Sequence, residues 1–256
     1  MSDSLYKPIK ELGQNFLTDT QTVNKMVEAL ELTPTDIVIE IGPGLGVLTE
    51  VIEQYLTSTE SRLIAVEIDE RFTLKLDQMF LENANVEIVK ANVLDWLPTY
   101  KDPKPFKLIG SLPYYITSPI VHKIVQMESQ PEIAVLLVQK EVADRINNKA
   151  PDATYLSSYV QTFFEVSYLG KVDRKVFSPE PEVDGGILKL VKKQPLVSRD
   201  RLGKYEGFLH KGFSNPRKML NKVFTAEELA KVGIDATLRA QNLDVDKWVQ
   251  LFNITS

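Results

Sequence analysis

Between residues 36 and 138 the sequence alternates short β-branched runs with amphipathic stretches, and this rhythm narrows the folds open to it. The runs at 36–41 (DIVIEI), 62–68 (RLIAVEI), 86–89 (VEIV), 106–109 (FKLI) and 133–138 (IAVLLV) have the length and composition of strands. Helices are expected at 20–30, 47–56, 71–80 and 117–127. In the first, Val23, Met26, Val27 and Leu30 recur at helical spacing, a cap is expected at Asp19 or Thr20, and Pro34 ends the pattern. Strands joined through helices return in the same direction and pair in parallel. The expected class is α/β, with a mostly parallel, doubly wound, Rossmann-like sheet. Further on, 155–169 reads as helix then strand and 183–190 (VDGGILKL) as the last strand. After Gln194 and Pro195 only helical periodicity remains. The expected division is a first domain of residues 1–193 and a small all-helical C-terminal domain of residues 194–256.

Composition removes several chemistries. The chain has no cysteine and two histidines. A disulfide framework, a Cys-ligated zinc or iron–sulfur cluster, a cysteine nucleophile and a three-His zinc site are all excluded, so no metal is expected. The N-terminal residues MSDSLYKPIKELGQNF lack the apolar core of a secretory signal. No run approaches the ~18–20 apolar residues of a membrane span. A cytoplasmic protein with no membrane partner is expected.

In open parallel sheets chemistry gathers at the carboxyl ends of the strands. Four polar or flexible positions fall there: Gly42 after the first strand, Glu67 at the end of the second, Asn92 after the third and Ser111 after the fourth. Gly42-Pro43-Gly44-Leu45-Gly46 joins strand to helix, where glycines permit a tight turn close to a ligand. The spacing differs from the G-x-G-x-x-G of dinucleotide sites, and Pro43 removes a backbone donor. Glu67, 21 residues after Gly46, is placed to accept the hydroxyls of a ribose. A nucleoside cofactor without a pyrophosphate, S-adenosyl-L-methionine, fits this loop better than NAD.

Ser111-Leu112-Pro113-Tyr114 directly follows a strand. At that position Asn/Asp/Ser-Pro-Pro-Tyr/Phe or Asn-Leu-Pro-Tyr marks enzymes that methylate exocyclic amines. The adenine N6 lone pair is delocalised into the ring, so the amine is a poor nucleophile. A side-chain oxygen and a backbone carbonyl that each accept one N–H draw the nitrogen toward sp³ and free the lone pair. The proline fixes the preceding carbonyl, and the aromatic ring stacks on a base swung out of its helix. A sulfonium is a good leaving group, so proximity supplies much of the rest.

Further segments extend the pattern: Gly13-Gln14-Asn15-Phe16-Leu17, Glu40-Ile41-Gly42-Pro43-Gly44-Leu45-Gly46, Val66-Glu67-Ile68-Asp69 and Leu112-Pro113-Tyr114-Tyr115-Ile116-Thr117. Others are Gln139-Lys140-Glu141-Val142-Ala143, Phe177-x-Pro179-x-Pro181-x-Val183-Asp184 and Gly212-Phe213-Ser214-Asn215-Pro216-Arg217-Lys218. With these the chain resembles the KsgA-type ribosomal RNA small subunit adenine dimethyltransferases, and the erythromycin-resistance methyltransferases as cousins. The resemblance implies cofactor contacts at Asn15, Leu17, Gly42, Gly44, Glu67, Asn92 and Ser111. It implies catalytic roles for Ser111, Leu112, Pro113 and Tyr114, with Phe177 sandwiching the flipped adenine opposite Tyr114. Two positions depart from the family: Asn92 replaces Asp, and Ser111 replaces Asn. Asn92 keeps an oxygen acceptor. The Ser111 hydroxyl also accepts, but it is shorter and rotates freely.

The net charge of −5 hides a segregation. Residues 189–222 hold ten Lys or Arg against two acids, a local +8, which leaves −13 for the rest. Such a block suits a phosphate-binding face. Lys192, Lys193, Arg199, Arg201, Lys204, Lys211, Arg217, Lys218 and Lys222 are the expected RNA contacts, reading backbone and shape. The family implies dimethylation of N6 on two adjacent adenosines near the 3′ end of 16S ribosomal RNA, by a monomer acting on the immature 30S subunit. Two alternatives stand beside this reading. One is a ribosome-assembly factor of the same fold whose catalysis Ser111 weakens or abolishes. The other is an erythromycin-resistance-type enzyme acting on large-subunit RNA.

Overall fold

The computed structural model describes residues 7–9 and 12–255, apart from the side chain of Tyr114. In chain order the elements are β1 (Phe16–Leu17), α1 (Thr20–Ala29), β2 (Ile37–Ile41), α2 (Val47–Glu53), β3 (Arg62–Glu67), α3 (Glu70–Met79), β4 (Val86–Lys90) and α4 (Val93–Trp96). Then follow β5 (Lys107–Ser111), α5 (Thr117–Gln126), β6 (Ile133–Gln139), α6 (Lys140–Asn147), α7 (Tyr155–Gln161), β7 (Phe164–Val172), β8 (Phe177–Ser178) and β9 (Gly185–Lys192). Helices α8 (Leu202–Phe213), α9 (Ala226–Lys231) and α10 (Val245–Thr255) complete the chain.

The polar residues after the strands also start the helices. Asp19 caps α1 by accepting the Thr22 N–H at 2.7 Å, Asp69 caps α3 from Arg71, and Asn92 caps α4 from Leu94. Each cap satisfies an amide that the first helical turn would leave without a partner.

Seven strands form one sheet in the order β4-β3-β2-β5-β6-β9-β7. The pairs β3–β4, β2–β3, β2–β5 and β5–β6 are parallel, and β9 runs antiparallel to β6. Successive strands step outward from β2 on one side and from β5 on the other, so the winding reverses between these two. A crevice at their carboxyl ends is the expected ligand site in such a sheet. β2 is buried at every position, as a strand covered on both faces requires. Its Val38 joins Val23, Met26 and Val27 of α1, Ile109 of β5, Val135 and Leu137 of β6 and Ile187 of β9 in one apolar core.

The fold is the mostly parallel Rossmann-like sheet that the alternation predicts, with several local corrections. The fourth strand runs to Ser111, so Ser111 is its last paired residue, opposite Leu137. The last strand is Gly185–Lys192, not 183–190, because Val183 is exposed and pairing with β6 begins at Gly185. The helix expected at 47–56 ends at Glu53. Helices α4 and α6 and the two-residue ladder of β1 with β8 were not expected from periodicity. By contact the chain divides into Met1–Ala143 with Ser167–Val191, and Asp144–Val166 with Lys192–Ser256. Helix α7 therefore groups with the C-terminal helices, where the sequence reading keeps it within residues 1–193.

In the second unit Trp248 of α10 is fully buried, with its ring centroid 5.2 Å from that of Phe213. A Cβ on Gly212 of α8 would stand 2.4 Å from the Trp248 ring. Glycine inside a helix ordinarily loses about 1 kcal/mol against alanine; here the ring reverses the sign. Gly212→Ala is expected to destabilise the protein by about 1–3 kcal/mol through overpacking. Urea unfolding followed by Trp fluorescence checks this, and a stabilised variant would contradict the packing described.

Candidate active site

A cavity of about 310 Å³ opens at the carboxyl ends of the central strands. Its lining brings together Gly42 and Gly44 after β2, Glu67 at the end of β3, Asn92 after β4, and Ser111, Leu112 and Pro113 at and beyond the end of β5. Asn15, Leu17 and Phe177, from distant parts of the sequence, complete it. The backbone of Tyr114 begins a 3-10 turn, Tyr114–Ile116, while its side chain lies outside the described residues. Tyr115, given no role by the sequence reading, lines the cavity and is 59 % exposed.

The glycine loop closes on itself. Gly42 N–H donates to the Val66 carbonyl at 3.0 Å and Gly46 N–H to the Pro43 carbonyl at 2.9 Å. Gly44 N–H donates to Glu67 Oε2 at 3.1 Å, and Pro43 has no N–H to offer. All three glycine amides are engaged within the protein, so they form no cradle of amides for a pyrophosphate. This fits a nucleoside cofactor without phosphates. Gly44 has φ +54°, and a Cβ there would press to 3.2 Å on the Phe16 ring, so loop and ring both need glycine.

Glu67 is the fixed anion of the site. Its Oε1 accepts Ile68 N–H at 2.8 Å and Asp69 N–H at 2.9 Å, while Gly44 holds Oε2. Burial raises its pKa above the usual carboxylate value, opposed by these three amides. Asp69 behaves oppositely: hydrogen bonds from the Arg71 guanidinium bring its pKa down to about 2. Glu40, wholly buried in β2, is pushed up to about 8 by burial and then by the charge of Glu67. At neutral pH Glu40 is mostly the neutral acid, which leaves Glu67 as the charged member of the two.

Asn92 Oδ1 is engaged by its cap to Leu94 N–H at 3.0 Å, with one lone pair left for a second donor. Leu112 N–H is bound to the Leu137 carbonyl at 2.9 Å, and Ile116 N–H takes the Pro113 carbonyl at 3.2 Å. Among the described residues, no donor is paired with the Ser111 hydroxyl or with the Leu112 carbonyl. Both residues line the cavity. Phe177 is buried and paired through the backbone with Leu17.

The nine basic residues belong to the second unit. Several are held by the protein itself: Arg201 donates to Asn253 Oδ1 at 2.7 Å and lies 4.3 Å above the Phe252 ring, and Lys211 sits 5.1 Å from the Phe224 ring. Lys193 is half-buried and its pKa is lowered by that burial. Arg199 is half-buried, whereas Lys192, Lys204, Arg217, Lys218 and Lys222 are exposed. Lys189, counted in the basic block, is ion-paired with Glu31. Among the described residues no group of three or more His, Asp or Glu is placed to hold a metal, and no helix is long and apolar enough to cross a membrane.

Gln14, Asp69, Arg71 and Lys75 brace the chain around the glycine loop and Glu67, and the sequence reading gave them no role. Gln14 and Asp69 lie in motifs quoted from the sequence, but their pairing with each other joins positions 55 residues apart. Lys75 of α3 donates to the Leu45 carbonyl at 2.8 Å and so steadies the glycine loop from the side.

Comparison with known proteins identifies the family. Residues 7–256 match the model of the family described as ribosomal RNA adenine dimethylase. A protein of Sulfurihydrogenibium sp. named ribosomal RNA small subunit methyltransferase A is 34% identical over 252 residues, covering 97% of this chain and 96% of its own length. One of the same name from Thermotoga maritima is 38% identical over 245 residues, covering 95% and 84%. The crystal structure of the 23S rRNA methyltransferase ErmE is 28% identical, with a TM-score of 0.76, covering 93% of this chain and 98% of that one.

The state of Glu40 has a consequence for stability. Between its ordinary value of 4.5 and about 8 the folded protein keeps a proton that the unfolded chain has released. Stability therefore falls as pH rises through this window, by up to about 5 kcal/mol at ~1.4 kcal/mol per unit. Unfolding midpoints from pH 5 to 8.5 are expected to decline more steeply in the wild type than in Glu40→Gln. Equal slopes would contradict the assignment.

Proposed function

The chain belongs to the ribosomal RNA adenine dimethylase family, and from that premise we propose how its own residues dimethylate adenosine N6 in small-subunit (16S) ribosomal RNA. The observation that carries the reading is that Ser111 and Leu112, whose hydroxyl and carbonyl accept from no donor among the described residues, line one cavity with Glu67 and the glycine loop.

S-adenosyl-L-methionine, when bound, supplies a methyl group on a sulfonium that leaves readily. Glu67, held by three amides, keeps one lone pair, on Oε2, for a ribose hydroxyl. Ile68, Val93 and Leu94 give an apolar wall beside Asn92, suited to a purine whose amine donates to Asn92 Oδ1. Gly42, Asn15 and Leu17 close the pocket around the remainder. Ser111 and Leu112 each accept one N–H of the target amine and free its lone pair, while Phe177 and Tyr114 stack on the flipped base. Pro113 fixes the Leu112 carbonyl. The proton released by the methylated amine passes to water, so no strong base is needed. After the first methylation one N–H remains, and either acceptor can hold it for the second.

The exposed Lys192, Lys204, Arg217, Lys218 and Lys222 would meet RNA phosphates, and Lys193, Arg199, Arg201 and Lys211 would border them. The target is read as two adjacent adenosines near the RNA 3′ end in the immature 30S subunit. The active species is read as a cytoplasmic monomer, whose lack of cysteine suits a reducing compartment. The large-subunit alternative rests on the likeness to ErmE; the relatives named for the small subunit share more identity.

Unmethylated small and large subunits, incubated with cofactor labelled in its methyl group, test the proposal. The expected result is label in small-subunit RNA as dimethyladenosine. Ser111→Ala is expected to lose ~10²–10³ in rate, the usual effect of removing one transition-state hydrogen bond, and Ser111→Asn to retain activity. Transfer only to large-subunit RNA would overturn the substrate. Transfer by Ser111→Asn but not by the wild type would favour an assembly factor.

A further inference from the structure

We propose that residues 14–18 couple the cofactor side of the cavity to the base side, and that Gln14, Asp69 and Arg71 are the positioning residues that set this coupling. The inference rests on the reading of Phe177 as a wall for the target base.

One end of the segment is gripped beside Glu67. Gln14 Nε2 donates to Asp69 Oδ2 at 2.7 Å, and Gln14 Oε1 accepts Ile9 N–H at 2.8 Å. Arg71 forks onto the same carboxylate, with Nε to Oδ1 at 2.9 Å and Nη2 to Oδ2 at 2.6 Å, and its Nη1 donates to the Lys7 carbonyl at 3.0 Å. Paired guanidinium–carboxylate bonds of this kind fix direction as well as distance. Asp69 is buried to 6 % exposure, and its own N–H donates to Glu67 Oε1. The carboxylate that grips the segment and the one that faces the cofactor therefore stand on one turn of chain.

The middle lies on the glycine loop. The Phe16 ring meets Phe72 edge to face at 5.3 Å and covers the open side of Gly44. Asn15 and Leu17 line the cavity from this segment. The far end is built into the strand that carries Phe177: Leu17 pairs with Phe177 and Phe16 with Ser178, and the Thr18 N–H and hydroxyl both donate to the Val176 carbonyl, at 2.9 and 2.8 Å. Just before the segment, Gly13 packs against the Tyr115 ring, in the turn that follows Pro113. Five residues of chain thus touch the glycine loop and the Phe177 strand, and adjoin the turn after Pro113.

A ligand shifts an equilibrium only through differential contact with its two states. A cofactor that packs on Asn15, Leu17 and the glycine loop favours the placed segment and, through the β1–β8 ladder, the placed Phe177. Linkage requires the effect to be mutual: RNA tightens the cofactor by the same factor as the cofactor tightens RNA. Arg71 need touch neither ligand for this to hold, and Gln14, which also lines the cavity, acts here through Asp69.

The test measures binding of unmethylated small subunits with and without S-adenosylhomocysteine, and of S-adenosylhomocysteine with and without subunits. The expected wild-type result is mutual tightening of about fivefold or more. Gln14→Ala and Arg71→Ala should bring the factor close to one while subunit affinity without the small ligand is kept, and Arg71→Lys, which keeps charge but not the fork, should fall between. Thermal melting establishes that each variant is folded; if Arg71→Ala is not, Gln14→Ala decides. A wild type without coupling, or folded variants that keep all of it, overturns the proposal. Phe177→Ala separates the two claims. If it leaves methylation unchanged, the base-wall reading fails and the proposal with it. If it cripples methylation while Gln14→Ala keeps full coupling, the coupling alone fails.

Discussion

Glu67 ends β3 with one oxygen held by the amides of Ile68 and Asp69 and the other by the amide of Gly44. Two stretches of chain 23 residues apart are tied to one side chain. The glycine loop takes its shape from this contact, because the amide that would otherwise face a ligand is turned onto the carboxylate. The same contact keeps an anion in a buried place where burial alone opposes it. Nearby Glu40 stays mostly neutral, so the two buried acids do not both carry charge. The fixed carboxylate of Glu67, the loop whose glycine amides are engaged within the protein and the grip on Gln14 all follow from the turn that Glu67 and Asp69 share.

The absence of cysteine and the scarcity of histidine fit a site built this way. Methyl transfer to an amine needs a good leaving group, a freed lone pair and close placement. In the proposed reading two oxygen acceptors and stacked rings supply the protein's part. Ser111 stands in the last paired position of β5, and its hydroxyl has no competing donor among the described residues, which is what the proposed role asks of it.

Much of this was legible in the sequence because it depends on short-range order. Strand runs, the glycine loop and the residue after each strand place Gly42, Glu67, Asn92 and Ser111 at one end of a parallel sheet before any coordinate is known. What stayed hidden depends on contacts across the chain. The β1–β8 ladder has two residues a side and no period to detect, yet it brings Leu17 to Phe177. Gln14 meets Asp69 across 55 residues, and Lys189 leaves the basic block to pair with Glu31 across 158. Gly212 reads as a weak helical position until the Trp248 ring is seen against it. Helix α7 carries no local mark that it groups with residues beyond 192.

The central claim is that Glu67 recognises the ribose of the cofactor from a position its backbone contacts fix. Calorimetry of S-adenosylhomocysteine and its 2′-deoxy analogue, on the wild type and on Glu67→Ala, tests it most directly. The account predicts that the wild type binds the deoxy analogue about tenfold or more weakly, the loss of a hydrogen bond to a charged group, and that Glu67→Ala removes the difference. A wild type indifferent to the hydroxyl, or a difference that survives in Glu67→Ala, would contradict it.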